Sequence, residues 1–296
     1  MTPEADDSLR ARIAAATRTL NDAGVPSPRH DAEALAAHIL GVERGALFTH
    51  PEPGDDFRTA YAEAIDRRAA REPLQHITGQ AHFRYVTLQV GPGVFTPRPE
   101  TELTAGAAVD EAKAIVAEGK VPVVVDLYSG SGAIAVSVAT EVRPSMVHAV
   151  ESEDDAVAWL RRNAAGAGVI VHRDDAGAVA ERSLSMLAGQ VDVVVANPPY
   201  VPAGAVIRDP EVVVHDPAAA LWSGDDGLDA MRILEGVAAR LLKSGGLVLA
   251  EHADVQGVSA PEVFRRAGRW SDVADHADLN GRPRYLSARL RDPDRE

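Results

Sequence analysis

From Val121 onward, short unbroken apolar runs alternate with stretches of helical spacing, a pattern that few folds accommodate. "VPVVVDL" precedes "GAIAVSVATEV", "MVHAVE" precedes "DDAVAWLRRNAAG", and "VIVHRDD" precedes a helical stretch over Glu181 to Leu187. "VDVVVAN" leads through a long loop to "GLDAMRILEGVAARLL". "GGLVLAEHA" follows, then a helical stretch over Pro261 to Ala267 and two strands at Trp270 to His276 and Tyr285 to Leu290. A strand that is apolar at nearly every position has both faces covered, so the pattern predicts a mostly parallel α/β sheet with helices on both sides. The last two strands, joined by the turn-rich "ADLNGRPR", are expected to run antiparallel.

The chain before this region reads differently. Apolar residues fall at helical spacing in three segments: Leu9, Ile13, Ala16 and Leu20; Leu35, Ile39 and Leu40; Phe57, Tyr61 and Ile65. Ser8 is the expected cap of the first helix, Gly24 to Pro28 breaks the chain, Asp31 is the expected cap of the second helix and Gly41 ends it. "HITGQAHFRYVTLQVGPGVFTPRPE" then alternates with a period of two, which predicts a β-hairpin with its turn at Gly91-Pro92-Gly93. The expected division is a helical unit over 1–75, a hairpin linker over 76–99 and an α/β domain over 100–296.

A chain of 296 residues can bury a sizeable core. It contains no cysteine, which excludes disulfides, thiolate metal sites and cysteine nucleophiles and fits a reducing compartment. No run approaches the ~18 apolar residues of a membrane span, and "MTPEADDSLRARIAAATRTL" lacks the basic start and apolar core of a leader, so a cytoplasmic protein is expected. The net charge of −14 argues against wrapping duplex nucleic acid, whose affinity comes largely from Lys and Arg neutralising phosphates. The closing "RDPDRE" is expected to be a frayed charged end.

Two stretches carry chemistry. In "DLYSGSGAIA", at the handover from the first sheet strand to its helix, Ser129, Gly130, Ser131 and Gly132 let the backbone turn tightly and let a ligand approach main-chain N–H groups. The spacing is not G-x-G-x-x-G, and a tight turn without a ligand is the alternative. At the end of the second strand, Glu151 is placed to accept from both hydroxyls of a ribose. Asp175, after the third strand, is either a contact for an adenine amino group or a helix cap.

The second stretch, "NPPY", follows the fourth strand. Asn197 supplies an acceptor oxygen, while Pro198 and Pro199 stiffen the loop and leave nearby carbonyls free of competing donors. An acceptor pair of this kind can hold the two hydrogens of an –NH2 group, and Tyr200 can stack on a planar one. No histidine forms a readable catalytic spacing; His252 is expected to be structural.

On these residues the chain resembles the class I S-adenosylmethionine-dependent methyltransferases that use "NPPY" on planar amino groups. Within them it resembles the enzymes that methylate the glutamine side-chain amide of peptide chain release factors. The resemblance extends over "REPLQHITGQAHF", "GVFTPRPETEL", "NPPYVP", "HDPAAALWSGDDGLD" and "LNGRPRYL". It implies a Rossmann-like sheet with an antiparallel last strand and a small helical N-terminal domain, S-adenosyl-L-methionine as cofactor, release factors as partners, and no metal, membrane or direct nucleic-acid contact. It further implies a cofactor loop over Tyr128 to Gly132, a ribose-binding Glu151, and an amide-holding Asn197, Pro198, Pro199 and Tyr200, with Asn197 also beside the cofactor. Two positions depart from the family pattern: Tyr128 stands where glycine is common, and Ala176 cannot stack on an adenine. An amino-methyltransferase acting on adenine or guanine in DNA or RNA, and a non-catalytic protein that binds the cofactor, are the alternative readings.

Overall fold

The structure, a computed structural model, describes residues 8–292. Residues 293–296 of the charged end expected to fray therefore lie outside the described residues. The described chain forms two compact units, one from the residues through Gln80 together with Ile207–His215, the other from Ala81–Val206 and the residues from Asp216 on.

The first unit holds α1 (Leu9–Asp22), α2 (Pro28–Leu40), α3 (Asp55–Ala69) and α4 (Leu74–Thr78). Ser8 caps α1 by accepting the Ala11 N–H at 3.2 Å, and Gly41, at φ 67°, ends α2 in the left-handed conformation glycine tolerates. Leu20, Leu35, Phe57 and Ile65 share one core. Asp31 is not a cap. Pro28 starts α2 four residues earlier than a cap at Asp31 would, and the buried Asp31 carboxylate accepts from the Arg68 guanidinium at 2.8 Å. Arg68 also donates to Glu211 at 2.8 Å, on the short helix Pro210–His215. A buried cation needs such partners, and one partner distant in sequence is invisible to helix-start rules.

At the start of the second unit, β1 (Gln80–Phe83), whose first residue closes the first unit, and β2 (Val86–Gln89) form the expected hairpin, but the turn lies at Arg84 and Tyr85 rather than at Gly91-Pro92-Gly93. Arg84 takes φ 50°, unusual for a residue with a side chain. Its guanidinium donates twice to Glu141, at 2.7 Å each, and its N–H donates to Glu102 at 3.0 Å. These tertiary bonds offset the strain of a turn without glycine.

The chain continues through α5 (Thr101–Ala117), β3 (Val123–Leu127), α6 (Ala133–Glu141), β4 (Met146–Glu151), α7 (Asp154–Ala164), β5 (Val169–Arg173) and β6 (Val191–Ala196). After α8 (Pro210–His215) come α9 (Asp229–Leu241), β7 (Leu242–Glu251), α10 (Ser259–Ala267), β8 (Trp270–Ala277) and β9 (Pro283–Leu290). The stretch Glu181 to Leu187 is not an α-helix: it holds two short 3-10 turns, Val179–Glu181 and Ser185–Leu187. The Asp174 carboxylate takes the Ser183 hydroxyl at 2.5 Å, and such side-chain bonds compete with helical ones.

The seven-stranded sheet has the order β5-β4-β3-β6-β7-β9-β8, parallel except for β9, which runs antiparallel to both its neighbours. All six residues of β6 are buried, and separate apolar layers cover the two sheet faces. From β3 the chain steps outward through β4 to β5, then returns to place β6 on the other side of β3. The strand order therefore reverses between β3 and β6, and open α/β sheets bind ligands outside the carboxyl ends of the strands at such a point. The loops after those two strands carry the Gly-rich stretch and "NPPY".

Candidate active site

The loop after β3 is held in shape by its small residues. The Ser129 hydroxyl donates to the Asp126 carbonyl at 2.8 Å and accepts the Val150 N–H at 3.0 Å, joining the ends of β3 and β4. Gly130, at φ 53°, donates its N–H to the Glu151 carboxylate at 2.8 Å. The buried Ser131 accepts from the Asn163 side-chain NH2 at its carbonyl, at 2.9 Å. Gly132, at φ 87°, opens α6, and a Cβ there would lie 2.6 Å from the Leu160 methyl. At Gly130 the same atom would meet nothing within 4 Å. Tyr128 also sits at positive φ, 59°. The backbone there demands the conformation glycine supplies most easily, and the tyrosine adopts it with its ring packed against the apolar layer that contains Leu127.

Glu151 accepts three backbone N–H groups: Gly130 on one oxygen, and Ser152 and Glu153 on the other at 2.8 and 3.0 Å. Its carboxylate is thus fixed at the carboxyl edge of β4, with acceptor capacity to spare. Asp126, on β3, was given no role by its sequence position, although it opens the Gly-rich stretch. It is buried; one carboxyl oxygen accepts the Ala135 N–H at 3.1 Å, and the other lacks a hydrogen-bond partner among the described residues. Burial pushes its carboxyl up to about 8, with the Ala135 N–H and the Ser129 hydroxyl drawing it down and the Glu151 charge adding to the rise.

At the end of β6, the Asn197 side-chain NH2 donates to the Thr101 hydroxyl at 3.3 Å, which leaves the Asn197 oxygen for another donor. The Tyr200 carbonyl accepts from Gln256 at 3.2 Å, and burial followed by the Glu251 charge raises its phenol above the ordinary range. Val201 exchanges backbone bonds with Leu221 and Ser223 at 2.8 and 2.9 Å, tying the motif to the segment after Pro217.

One cavity of about 170 Å³ joins the two stretches. Tyr128, Ser129, Gly130, Ser131 and Glu151 line it together with Asn197, Pro199 and Tyr200. Gly132 and Pro198 do not: the first is set by its close approach to Leu160, the second is buried behind the loop. Asp175 also stays outside. Its carboxylate turns back to accept the Gly177 N–H at 2.9 Å within a local turn, and no helix starts there for it to cap: the next 3-10 turn begins at Val179 without a side-chain cap. Asp126, Phe95 and Thr101 line the cavity and were not singled out by the sequence; the last two lie within "GVFTPRPETEL". Among the described residues no cluster of His, Asp and Glu could hold a metal ion.

A model of the PrmC N-terminal domain matches residues 12–79, and one of the methyltransferase small domain matches residues 92–219. The release factor glutamine methyltransferase of Streptomyces coelicolor is 54% identical over 95% of this chain and 98% of its own length. This chain belongs to the release factor glutamine methyltransferase family. The Mycolicibacterium smegmatis member is 45% identical over 95% of the chain and 97% of its own. A more distant relative of the family, the 4-amino-L-phenylalanine/4-methylamino-L-phenylalanine methyltransferase of Streptomyces pristinaespiralis, is 39% identical over 92% of each chain.

A methyltransferase of this family takes its methyl group from S-adenosylmethionine. The cavity fits that cofactor on its own chemistry. Glu151 offers a fixed carboxylate to vicinal hydroxyls, Gly130 leaves open space beside its backbone, and the unpartnered oxygen of Asp126 suits an ammonium group. A buried carboxyl oxygen left unpaired is costly unless a cation or donor completes it.

Proposed function

We propose that this protein transfers a methyl group to the side-chain amide nitrogen of the glutamine in the Gly-Gly-Gln motif of peptide chain release factors. The observation that carries the reading is the orientation of Asn197, whose NH2 is engaged by Thr101 so that its oxygen is an acceptor in the cavity that also contains Glu151. The similarity to named release factor methyltransferases over nearly the whole chain supports the same substrate.

A primary amide nitrogen is a poor nucleophile because its lone pair is delocalised into the carbonyl. Asn197 Oδ1 accepts one of the amide hydrogens, which raises electron density on nitrogen and helps fix the direction of its lone pair. Tyr200 holds the amide plane. S-adenosylmethionine, when bound, supplies an electrophilic methyl group on a sulfonium; Glu151, with the Gly130 loop and Asp126, holds it. Holding the nitrogen in line with the methyl group would lower the barrier by several kcal/mol; as the N–C bond forms the S–C bond would break, leaving a neutral thioether, and the nitrogen would release one of its two amide protons. The helical unit and the hairpin dock the release factor, and a translation substrate places the reaction in the cytoplasm.

Incubating the protein with S-adenosylmethionine and a purified release factor, followed by peptide mass mapping, tests the reading: one methyl group is expected on that glutamine. An unmodified glutamine, with cofactor binding demonstrated on the same preparation, rules it out. The relative from Streptomyces pristinaespiralis carries the name of an arylamine methyltransferase, so 4-amino-L-phenylalanine is the second substrate to offer. The net charge of −14 disfavours nucleic acid, and oligonucleotides serve as the negative control.

A further inference from the structure

The proposed amide-holding role of Asn197, on which this inference rests, leaves one buried carboxyl group idle. Parallel pairing of Ala196 with Ala250 places Glu251, the last residue of β7, beside Asn197 at the carboxyl edge of the sheet. Glu251 is 1% exposed, and both its carboxyl oxygens lack a hydrogen-bond partner among the described residues. The Thr101 hydroxyl draws the ionisation of this carboxyl down, and the same hydroxyl receives the Asn197 NH2 at 3.3 Å. We infer that Thr101 and Glu251 form a positioning pair that holds Asn197 with its oxygen, rather than its NH2, toward the methyl-accepting nitrogen.

A threonine hydroxyl has one proton to give and lone pairs to offer. If its proton pointed at Asn197, the side-chain amide would turn over to present its oxygen to Thr101. Two donors of Asn197 would then face the two donors of the substrate –NH2. An ionised Glu251 prevents this, because a carboxylate only accepts: it draws the hydroxyl proton to itself and commits a lone pair of Thr101 to Asn197. Protonated, Glu251 becomes a donor to Thr101, and the hydroxyl is released to bond the wrong side of the amide. Thr101 and Glu100 at the start of α5, Arg284 on β9 and Tyr200 after β6 are the polar and charged groups acting on this carboxyl. Burial pushes it up to about 7, with Thr101 and Arg284 drawing it down and Glu100 adding to the rise. The favourable Asn197 orientation is therefore present above that pH and lost below it.

Methylation of a purified release factor is followed from pH 6 to 9 for the wild type, Thr101→Val, Thr101→Ser and Glu251→Gln, with S-adenosylmethionine affinity measured for each. Thr101→Val is expected to lower kcat about tenfold, the effect of one lost hydrogen bond, with cofactor affinity unchanged. Thr101→Ser should restore turnover. Wild-type kcat should fall below about pH 7, and Glu251→Gln should lose that acid limb and turn over at a lower, pH-independent rate. Wild-type kcat in Thr101→Val, an acid limb retained by Glu251→Gln, or cofactor affinity lost in both variants overturns the positioning role. A wild-type protein that leaves the release factor unmethylated overturns the substrate reading instead.

Discussion

The Glu151 carboxylate accepts the Gly130 backbone N–H at 2.8 Å, so the end of β4 shapes the loop that follows β3. One acid thus serves two purposes: it holds the loop and presents its remaining lone pairs to a ligand. Replacing Glu151 by Ala removes charge-assisted bonds of about 1.5–3 kcal/mol each. S-adenosylmethionine affinity should fall at least tenfold to a hundredfold. Calorimetric titration of the variant checks this; an unchanged Kd would remove Glu151 from the cofactor site.

The two loop glycines should separate stability from binding. At Gly132 an added methyl meets the buried Leu160 at 2.6 Å on a backbone with φ 87°. Gly132→Ala should therefore cost about 2 kcal/mol or more, read as a lowered urea midpoint. Gly130→Ala meets open space at φ 53°, so its strain amounts to about 1 kcal/mol. Its methyl group borders the cavity, and weakened cofactor binding should be the larger effect.

Asp126 sets a pH dependence in the ligand-free protein. Its folded-state carboxyl is pushed up to about 8 by burial, whereas in the unfolded chain it ionises near about 4. Between these values the folded state binds more protons, so this contribution to stability is complete below about pH 4 and is lost as pH rises through about 8. Asp126→Asn should flatten that slope and stabilise the ligand-free protein at pH 8, while weakening cofactor binding. Unfolding curves at pH 6 and 8, paired with titrations, measure both effects. A variant less stable at pH 8 would contradict the burial account.

An opposite slope comes from β4 and β5. His148 Nδ1 and His172 Nε2 lie 2.9 Å apart with their rings stacked, and burial, then the His172 charge, lowers His148 to about 4. Its unfolded value is about 6.5. The unfolded chain binds the extra proton first, so stability present above about pH 6.5 is lost as pH falls toward about 4. Urea midpoints should drop between pH 7.5 and 5, and less steeply in His148→Gln. Parallel slopes for the two proteins would show that the pair does not titrate as described.

The unbroken apolar runs determined the sheet by themselves, because a strand with no polar face must be covered on both sides. They also located the two loops of the site, since Gly130 stands three residues after the end of one such run and Asn197 directly after another. Side-chain partners distant in sequence carried no local signal. Arg84 turns the hairpin because Glu141 and Glu102 hold it; Asp31 leaves the cap position to meet Arg68; Ser183 bonds Asp174 where helical spacing pointed to a helix. The same limit applied in the site. "YSGSG" could not reveal that Gly130 borders the cavity while Gly132 only clears Leu160, nor that Asp175 turns away. Asp126 on β3, Thr101 at the start of α5 and Glu251 at the end of β7 gain their meaning from burial, and burial of a polar group is a property of the packed fold, not of the residue or its neighbours in the chain.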